Sequence, residues 1–196
     1  MTLILASGSA ARRAMLEAAG LAFEVDVPSV DEAVAKASLR AEGLKPREQA
    51  DALAELKALS VSRRRVGFVI GADQILTIEG ETLDKPRDLA EARAHLQHLR
   101  GRTHELITAA IVAREGAVIW RRIDTPRLMM RAFSDAFLDD YLERVEEGAL
   151  ASVGAYQLEG LGAQLFERVE GDYFSVLGLP LLPLLAFLRE HGIAPT

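Results

Sequence analysis

The chain of 196 residues contains no cysteine. Disulfide bonds, thiolate nucleophiles and cysteine-ligated zinc sites are therefore excluded. The sequence also lacks a long hydrophobic run, because its most apolar stretch, 177–188, is short and is interrupted by Pro180 and Pro183. A membrane helix needs about 20 consecutive apolar residues, so we expect no membrane span and no membrane partner. The first residues have no basic region ahead of their apolar run, so we also expect no signal peptide and a cytoplasmic location.

The sequence also has fewer basic than acidic residues. The sequence has 23 Lys and Arg against 29 Asp and Glu, which gives a formal net charge of −6. Proteins that grip nucleic acid bind its phosphates through an excess of basic residues. We therefore expect no nucleic-acid partner, and any site for a polyanion requires a local concentration of Lys and Arg.

The composition and patterning that are present indicate one globular domain over 1–196. Hydrophobic residues make up 49% of the chain, and no repeat or linker interrupts it. Strands are predicted over 3–6, 23–27, 66–78, 103–113, 117–131, 151–156 and 163–169. Helices are predicted over 10–19, within 33–64, and over 88–99, 134–146 and 180–191. Because helices alternate with long hairpins, the predicted fold class is α/β, with a mixed twisted sheet flanked by helices and without Rossmann winding.

The first candidate site is the turn between the first strand and the first helix. Ser7 and Ser9 supply hydroxyl groups there, and Ser9 is placed to cap the helix. A helix N-terminus attracts anions, and Arg12 and Arg13 add guanidinium groups suited to phosphate oxygens. The alternative is an ordinary capped turn with two solvated arginines. The segment lacks the lysine and the spacing of a P-loop.

An acidic residue, Asp73, stands within the apolar strand 66–78. A carboxylate there is costly unless it is paired, bound to a metal or facing a cleft, although a buried structural aspartate is the alternative. Asp31 and Glu32 would add carboxylates to the same hard cation, or are solvated loop charges. The four histidines, His104 among them, form no metal-ligand pattern and are interpreted as surface or packing residues.

Two lysines and one glutamate complete the candidates. Lys85 stands just before the helix that Asp88 and Glu91 open with a predicted capping box, where a rigid turn would aim its side chain. Lys57 lies in a helix whose leucine stripe has helical spacing, and a solvated helix position is the favoured interpretation from that pattern. Glu159 lies in a glycine-rich turn and is able to accept two N–H donors from a purine edge, although a plain hairpin with a surface glutamate is equally consistent.

Taken together, these segments resemble the Maf-type nucleoside triphosphate pyrophosphatase family along nearly the whole chain. The matching motifs occur in order, and they are Leu3–Arg13, Val30–Glu32, Lys57 in its helix, Gly71–Asp73, Lys85–Asp88, Gly101–His104, Gly154–Tyr156, Glu167–Tyr173 and Gly178–Leu181. One departure is Ala10, where members of that family often have proline.

The resemblance implies a mixed α/β, inosine-triphosphate-pyrophosphatase-like fold and a homodimer. It implies hydrolysis of nucleoside triphosphates to a monophosphate and pyrophosphate, with a divalent cation, Mg²⁺ or Mn²⁺, as cofactor. It also implies roles for individual residues. The implied catalytic residues are Asp73 as general base, Lys85, Lys57 and Arg13. The implied substrate ligands are Ser7, Ser9, Arg12, Gln74 and Glu159, and the implied metal ligands are Glu32 and Asp73.

Two of these positions distinguish branches of the family. Members similar to the dTTP and UTP enzymes carry Thr after the Gly-Ala-Asp motif and Gln in the later glycine-rich turn. Those resembling the 7-methyl-GTP enzymes carry Gln and Glu, which are Gln74 and Glu159 here. Ala72 departs from that branch, which often has Ser. The resemblance thus favours a 7-methyl-GTP pyrophosphatase that keeps modified nucleotides out of nucleic acid. The alternatives are a dTTP or UTP pyrophosphatase, and a nucleotide-binding regulator of cell division without turnover.

Overall fold

The computed structural model of the chain describes residues 2–195. These residues form two compact units. The first unit comprises 2–74, 108–124 and 178–195, and the second comprises 75–107 and 125–177.

The first unit contains the N-terminal strands and most of the helices that carry predicted site residues. Its elements are β1 (Leu3–Ala6), α1 (Ala10–Ala18), β2 (Glu24–Val25), α2 (Glu32–Ala41), α3 (Pro46–Ser62), most of β3 (Phe68–Ile78), part of β5 (Thr103–Arg114), β6 (Ala117–Asp124) and α7 (Leu181–Glu190). The fully buried β1 lies parallel to both β2 and β3. Trp120, on β6, packs on Phe187 of α7 with ring centroids 5.7 Å apart.

The second unit contains the remaining elements. They are the ends of β3 and β5, β4 (Glu81–Leu83), α4 (Leu89–Leu99), β7 (Arg127–Met130), α5 (Asp135–Val145), β8 (Phe166–Glu170), α6 (Tyr173–Val176) and 3₁₀ turns at Glu146–Ala151, Val153–Ala155 and Leu161–Leu165. Its core includes Leu96 and Leu99 of α4 and Tyr141 of α5. Here β7 pairs antiparallel with β5 and with β8.

The strands form one mixed sheet with the order β2-β1-β3-β5-β7-β8, in which β4 pairs with β3 and β6 with β5. Parallel pairs at β1 and the antiparallel hairpins β3–β4 and β5–β6 confirm the predicted α/β class with a mixed sheet flanked by helices. No helix in residues 2–195 combines the length and the apolar character that crossing a membrane requires.

Most predicted elements are confirmed, although the strand predicted over 163–169 begins only at Phe166, after a 3₁₀ turn. Three other predictions are wrong. The single strand predicted over 117–131 is two strands, because Thr125 and Pro126 interrupt it and proline has no N–H for the ladder. The strand predicted over 151–156 consists of 3₁₀ turns, in which Gly154 and Ala155 have φ of +79° and +60°. The predicted capping box is incomplete, since Asp88 accepts the N–H of Glu91 but the Glu91 carboxylate accepts the N–H of Arg87.

Candidate active site

The turn between β1 and α1 has the local structure that its hydroxyl residues predict. Ser9 is the N-cap of α1, and its side chain accepts the backbone N–H of Arg12 at 3.4 Å. The Ser7 hydroxyl is buried and accepts the backbone N–H of Ser9 at 3.2 Å. The turn therefore holds both hydroxyl groups at the N-terminal, positive end of the helix.

The two adjacent arginines have different environments. Arg12 is buried, and its guanidinium donates from Nε to the Gly178 carbonyl at 2.8 Å and from Nη1 to the Ser7 hydroxyl at 3.2 Å. Burial lowers the pKa of Arg12, and the negative charge of nearby Asp73 opposes that shift. Arg13 is exposed. Arg12 thus fastens the turn to the segment ahead of α7, and Arg13 is the arginine that faces solvent.

A buried lysine joins the two carboxylates that the sequence pointed to. Lys57 Nζ donates to Asp73 Oδ1 at 2.7 Å and forms an ion pair with Glu32 Oε2 at 2.9 Å. Only 5% of Lys57 and 4% of Asp73 are exposed, whereas the Glu32 side chain is half exposed. This burial excludes the interpretation of Lys57 as a solvated helix residue.

The position of Lys57 follows from a close approach of α3 to β3. Gly71, two residues before Asp73, faces the backbone of α3 so tightly that an added Cβ would lie 2.4 Å from the Ala54 carbonyl oxygen and 2.6 Å from the Ala58 nitrogen. Lys57 lies on the same turn of helix as these two alanines. Only glycine at position 71 allows α3 to lie close enough to β3 for Lys57 to reach the Asp73 carboxylate.

The charges of this group are only partly satisfied within the protein. Partial burial alone would raise the pKa of Glu32, but the charge and the hydrogen bond of Lys57 hold that pKa below its usual value. Asp73 Oδ2 is buried and has no hydrogen-bond partner among residues 2–195. A buried carboxylate oxygen without a partner is rare and indicates a place for an ordered water, an ion or a ligand.

The unpartnered oxygen of Asp73 fits a magnesium-type cation. No cluster of three or more His, Asp or Glu side chains in the described part of the chain is arranged to hold a metal ion. Mg²⁺ commonly binds through one or two carboxylates and completes its shell with water and substrate phosphates. Asp73 and Glu32 together provide such a minimal donor set.

Gln74, the residue after the buried aspartate, is also tied within the first unit. Its side-chain amide donates to the Thr108 hydroxyl at 2.8 Å. Thr108 is fully buried. One donor of Gln74 is therefore engaged inside the protein.

Lys85 and Glu159 belong to the second unit. Lys85 is exposed and lies between β4 and α4. Glu159 is exposed and lies in a turn ahead of the last 3₁₀ segment. In the first unit, hydrogen bonds join Ser7, Ser9 and Arg12, and ion pairs join Glu32, Lys57 and Asp73. The catalytic, substrate-binding and metal roles of all the predicted site residues stay predictions.

Two residues of the site were not found by sequence reasoning. Gly178 offers its carbonyl to Arg12 and has φ of +104°, which favours glycine. Its position in the Gly-Leu-Pro segment was the available signal. Thr108 gave no signal, because it lies within an ordinary apolar strand.

One groove on the first unit lies away from these residues. It has a volume of about 500 Å³ and follows the outer side of α3, where Leu44, Glu48 and Leu56 line it. It contains none of the predicted site residues.

Comparison with known proteins extends these observations. The Maf-like protein family matches residues 2–191. A protein of Caulobacter vibrioides named nucleoside triphosphate pyrophosphatase is 56% identical over 188 residues, which cover 96% of this chain and 94% of that protein. A protein of Granulibacter bethesdensis with the same name is 54% identical over 97% of this chain and 98% of its own length. A protein of Rhizobium meliloti named 7-methyl-GTP pyrophosphatase is 51% identical over 97% of this chain and 96% of its own length.

Proposed function

Since this chain belongs to the Maf-like protein family, we propose that it hydrolyses nucleoside triphosphates to a nucleoside monophosphate and pyrophosphate. The observation that carries the proposal is Asp73, a buried carboxylate held at one oxygen by Lys57 and without a partner at the other. Most buried structural aspartates have both oxygens satisfied. An aspartate that must accept a proton needs one oxygen available.

In the proposed reaction a water molecule attacks the α-phosphorus. As the new P–O bond forms, the bond from the α-phosphorus to the bridging oxygen breaks, and pyrophosphate leaves with that oxygen. Asp73 accepts the proton that the attacking water loses. Arg13 and Lys85 are proposed to bind the leaving pyrophosphate, because positive charge placed where negative charge develops lowers the barrier.

Other residues of the first unit position these groups. Lys57 orients the Asp73 carboxylate by holding Oδ1. Ser7 and Ser9 present hydroxyl groups at the N-terminal end of α1, where phosphate oxygens are favoured. Arg12 donates two of its N–H groups inside the protein, so we assign it mainly to holding the turn.

We include a divalent cation, Mg²⁺ or Mn²⁺, in the proposal. Glu32 and Asp73 would hold it together with phosphate oxygens of the substrate. When bound, such a cation neutralises phosphate charge and lowers the pKa of coordinated water. Because Lys57 holds Oδ1, Oδ2 of Asp73 would use one lone pair for the cation and the other for the proton of the attacking water. The half-exposed carboxylate of Glu32 would supply the second protein ligand.

For the substrate we propose 7-methyl-GTP. Glu159 would accept the N1–H and the exocyclic amine of guanine, and its negative charge would favour the positively charged 7-methyl base. The similarity to the Rhizobium meliloti protein supports this choice, while the Caulobacter vibrioides protein carries the general name. The cytoplasmic location, the homodimer and the absence of nucleic-acid and membrane partners stay predictions.

The test is pyrophosphate release from a panel of 7-methyl-GTP, GTP, dTTP and UTP, with Mg²⁺, with Mn²⁺ and with a chelator. We expect metal-dependent release, highest kcat/KM for 7-methyl-GTP, and a loss of about 100-fold or more in kcat for Asp73→Asn. Asn keeps an oxygen for Lys57 but loses the charge that pairs with this buried ammonium, so some fall in Tm is expected, and nucleotide binding by the variant checks that it is folded. Turnover of Asp73→Asn within a few-fold of the parent would remove Asp73 from the role of base, and no release from any nucleotide would favour a binding regulator.

A further inference from the structure

The residue proposed to recognise the base lies in a closed loop of the second unit. The loop, 157–165, begins after Tyr156 and ends before Phe166, and Glu159 is exposed within it. The rings of Tyr156 and Phe166 meet edge to face, with centroids 4.8 Å apart and an angle of 78° between them. A loop of this length with its two ends in contact is a compact Ω-type loop.

Backbone segments within the loop also lie in close contact with one another. The Gly160 N–H donates to the Gln157 carbonyl at 3.2 Å, which closes a turn around Glu159. A Cβ on Gly162 would lie 2.5 Å from that same carbonyl oxygen, so the chain crosses itself at backbone contact. The direction of Glu159 is therefore set by how the two ends of the loop are held.

His104 holds both ends. It lies on β5, only 1% of it is exposed, and its Nε2 is 2.7 Å from the Tyr156 hydroxyl oxygen. Its ring lies 5.6 Å from the Tyr156 ring and 6.0 Å from the Phe166 ring. Burial lowers the pKa of His104 to about 4, so the imidazole is neutral at physiological pH.

The stem ahead of the loop is fixed independently. The Tyr141 hydroxyl donates to the Ala155 carbonyl at 3.1 Å, and the Ser152 hydroxyl donates to the Tyr156 carbonyl. Gly154 leaves room for the Tyr156 ring, because a Cβ there would lie 2.5 Å from Cε1 of that ring. These contacts place the Tyr156 ring beside His104.

Packing alone does not explain a histidine at this position. His104 Nδ1 is buried and has no hydrogen-bond partner among residues 2–195, and an unsatisfied buried polar atom costs free energy. Phenylalanines at both 104 and 156 would fill similar space without burying any polar side-chain atom. The polar contact between His104 and Tyr156 is therefore retained at a cost in stability, which indicates a role beyond the core.

We propose that His104 is a positioning residue for base recognition. It fixes Tyr156 and Phe166 at the two ends of loop 157–165 and thereby holds the Glu159 carboxylate in one place. This proposal rests on the proposed function, in which Glu159 recognises the purine. Groups held in place before binding discriminate better than groups that must be ordered by the ligand. Loss of the contact should weaken discrimination between bases and leave cleavage of the phosphoanhydride bond intact.

The experiment compares kcat/KM for 7-methyl-GTP and UTP in His104→Phe, Tyr156→Phe and the double variant. We expect the ratio to fall about tenfold in each single variant, mainly through KM for 7-methyl-GTP, and no further in the double variant. His104→Gln retains a polar group for Tyr156 and should restore part of the ratio. Ile78→Val is the control. Ile78 lies in the same hydrophobic core as Tyr156, and removing one of its methyl groups lowers the free energy of unfolding without removing a polar contact.

Hydrogen exchange of the loop amides provides a readout that needs no turnover. Exchange over 157–165 should rise in His104→Phe and stay at the parent's rate in Ile78→Val. An unchanged ratio in His104→Phe, an equal fall in Ile78→Val, or unchanged loop exchange would each overturn the role of His104. A parent enzyme that releases no pyrophosphate from any nucleotide would instead refute the proposed function. The His104 proposal would then be decided by the ratio of the two nucleotides' Kd values.

Discussion

Replacing Gly71 with alanine tests whether the close approach of α3 to β3 creates the site. The added Cβ would lie 2.4 Å from the Ala54 carbonyl oxygen, whereas ordinary contacts begin at 3.4 Å. The two nearest atoms, the Ala54 oxygen and the Ala58 nitrogen, belong to the backbone, so no change of side-chain rotamer relieves the contact. Strand and helix must separate by about 1 Å, and overpacking of this kind costs about 3 kcal/mol or more.

Both stability and activity should respond. For a chain of this length, about 3 kcal/mol lowers Tm by roughly 6–12 °C. The same shift would carry Lys57 away from Asp73, to which it now donates at 2.7 Å. Misplacement of a catalytic group by about 1 Å costs up to about 100-fold in rate, and the flexible lysine side chain should recover part of this, so we expect a loss of tenfold to about 100-fold in kcat.

Gly148→Ala is the matched control, because a Cβ at Gly148 meets nothing within 4 Å. Thermal unfolding and pyrophosphate release are measured on both variants and on the parent. If Gly71→Ala unfolds within about 2 °C of the parent and turns over normally, then helix and strand do not need this contact, and another feature must position Lys57.

Three further predictions concern charge. Arg13→Ala should raise KM for the triphosphate and lower kcat together, by about 10-fold or more, because the exposed guanidinium faces the leaving pyrophosphate in the proposed reaction. Glu159→Gln should lower the preference for 7-methyl-GTP over UTP about tenfold or more in side-by-side kcat/KM measurements, since an amide accepts these hydrogen bonds more weakly than a carboxylate. The pKa of His104, lowered to about 4 by burial, makes the unfolded chain bind more protons between that pH and about 6.5. Stability should therefore fall as pH falls through this window, by up to about 1.4 kcal/mol per pH unit, and His104→Gln should lack that contribution in urea unfolding.

Each of these has a direct counter-result. Arg47→Ala removes another exposed arginine, and equal kinetic losses in Arg47→Ala and Arg13→Ala would assign the effect to net charge. A ratio unchanged in Glu159→Gln would remove Glu159 from base recognition. Parallel stability curves for the parent and His104→Gln would mean that His104 titrates alike in the folded and unfolded chains.

Features that depend on neighbouring residues could be predicted from the sequence. Ser9, Asp88 and Ser134 each cap the helix that follows them, because an N-cap hydrogen bond spans only three residues. The turn at Glu79 and Gly80 is local in the same way, because glycine readily adopts the positive φ of +89° found at Gly80.

Features set by tertiary packing could not be predicted. The leucine stripe of α3 pointed to Leu53, Leu56 and Leu59 as its buried face, yet Leu56 is 41% exposed. The buried side of the helix keeps Leu53 but continues through Ala54 and Ala58, against which β3 approaches closely. Lys57 lies between these alanines and is buried with them. A contact between alanines on a helix and a glycine on a strand leaves no strong hydrophobic signal in the sequence. Lys57, which lies at that contact, therefore looks like a surface residue.

The aromatic residues with useful spectra are divided between the two units. Trp120, the one tryptophan of the chain, lies in the first unit against Phe187, whereas all three tyrosines, Tyr141, Tyr156 and Tyr173, lie in the second. Tryptophan emission therefore reports on the first unit, and the tyrosine bands resolved in second-derivative absorbance report on the second, in one unlabelled sample. Coincident transitions from both signals during denaturation would mean that the chain unfolds cooperatively as a single domain, and separated transitions would give each unit its own unfolding free energy.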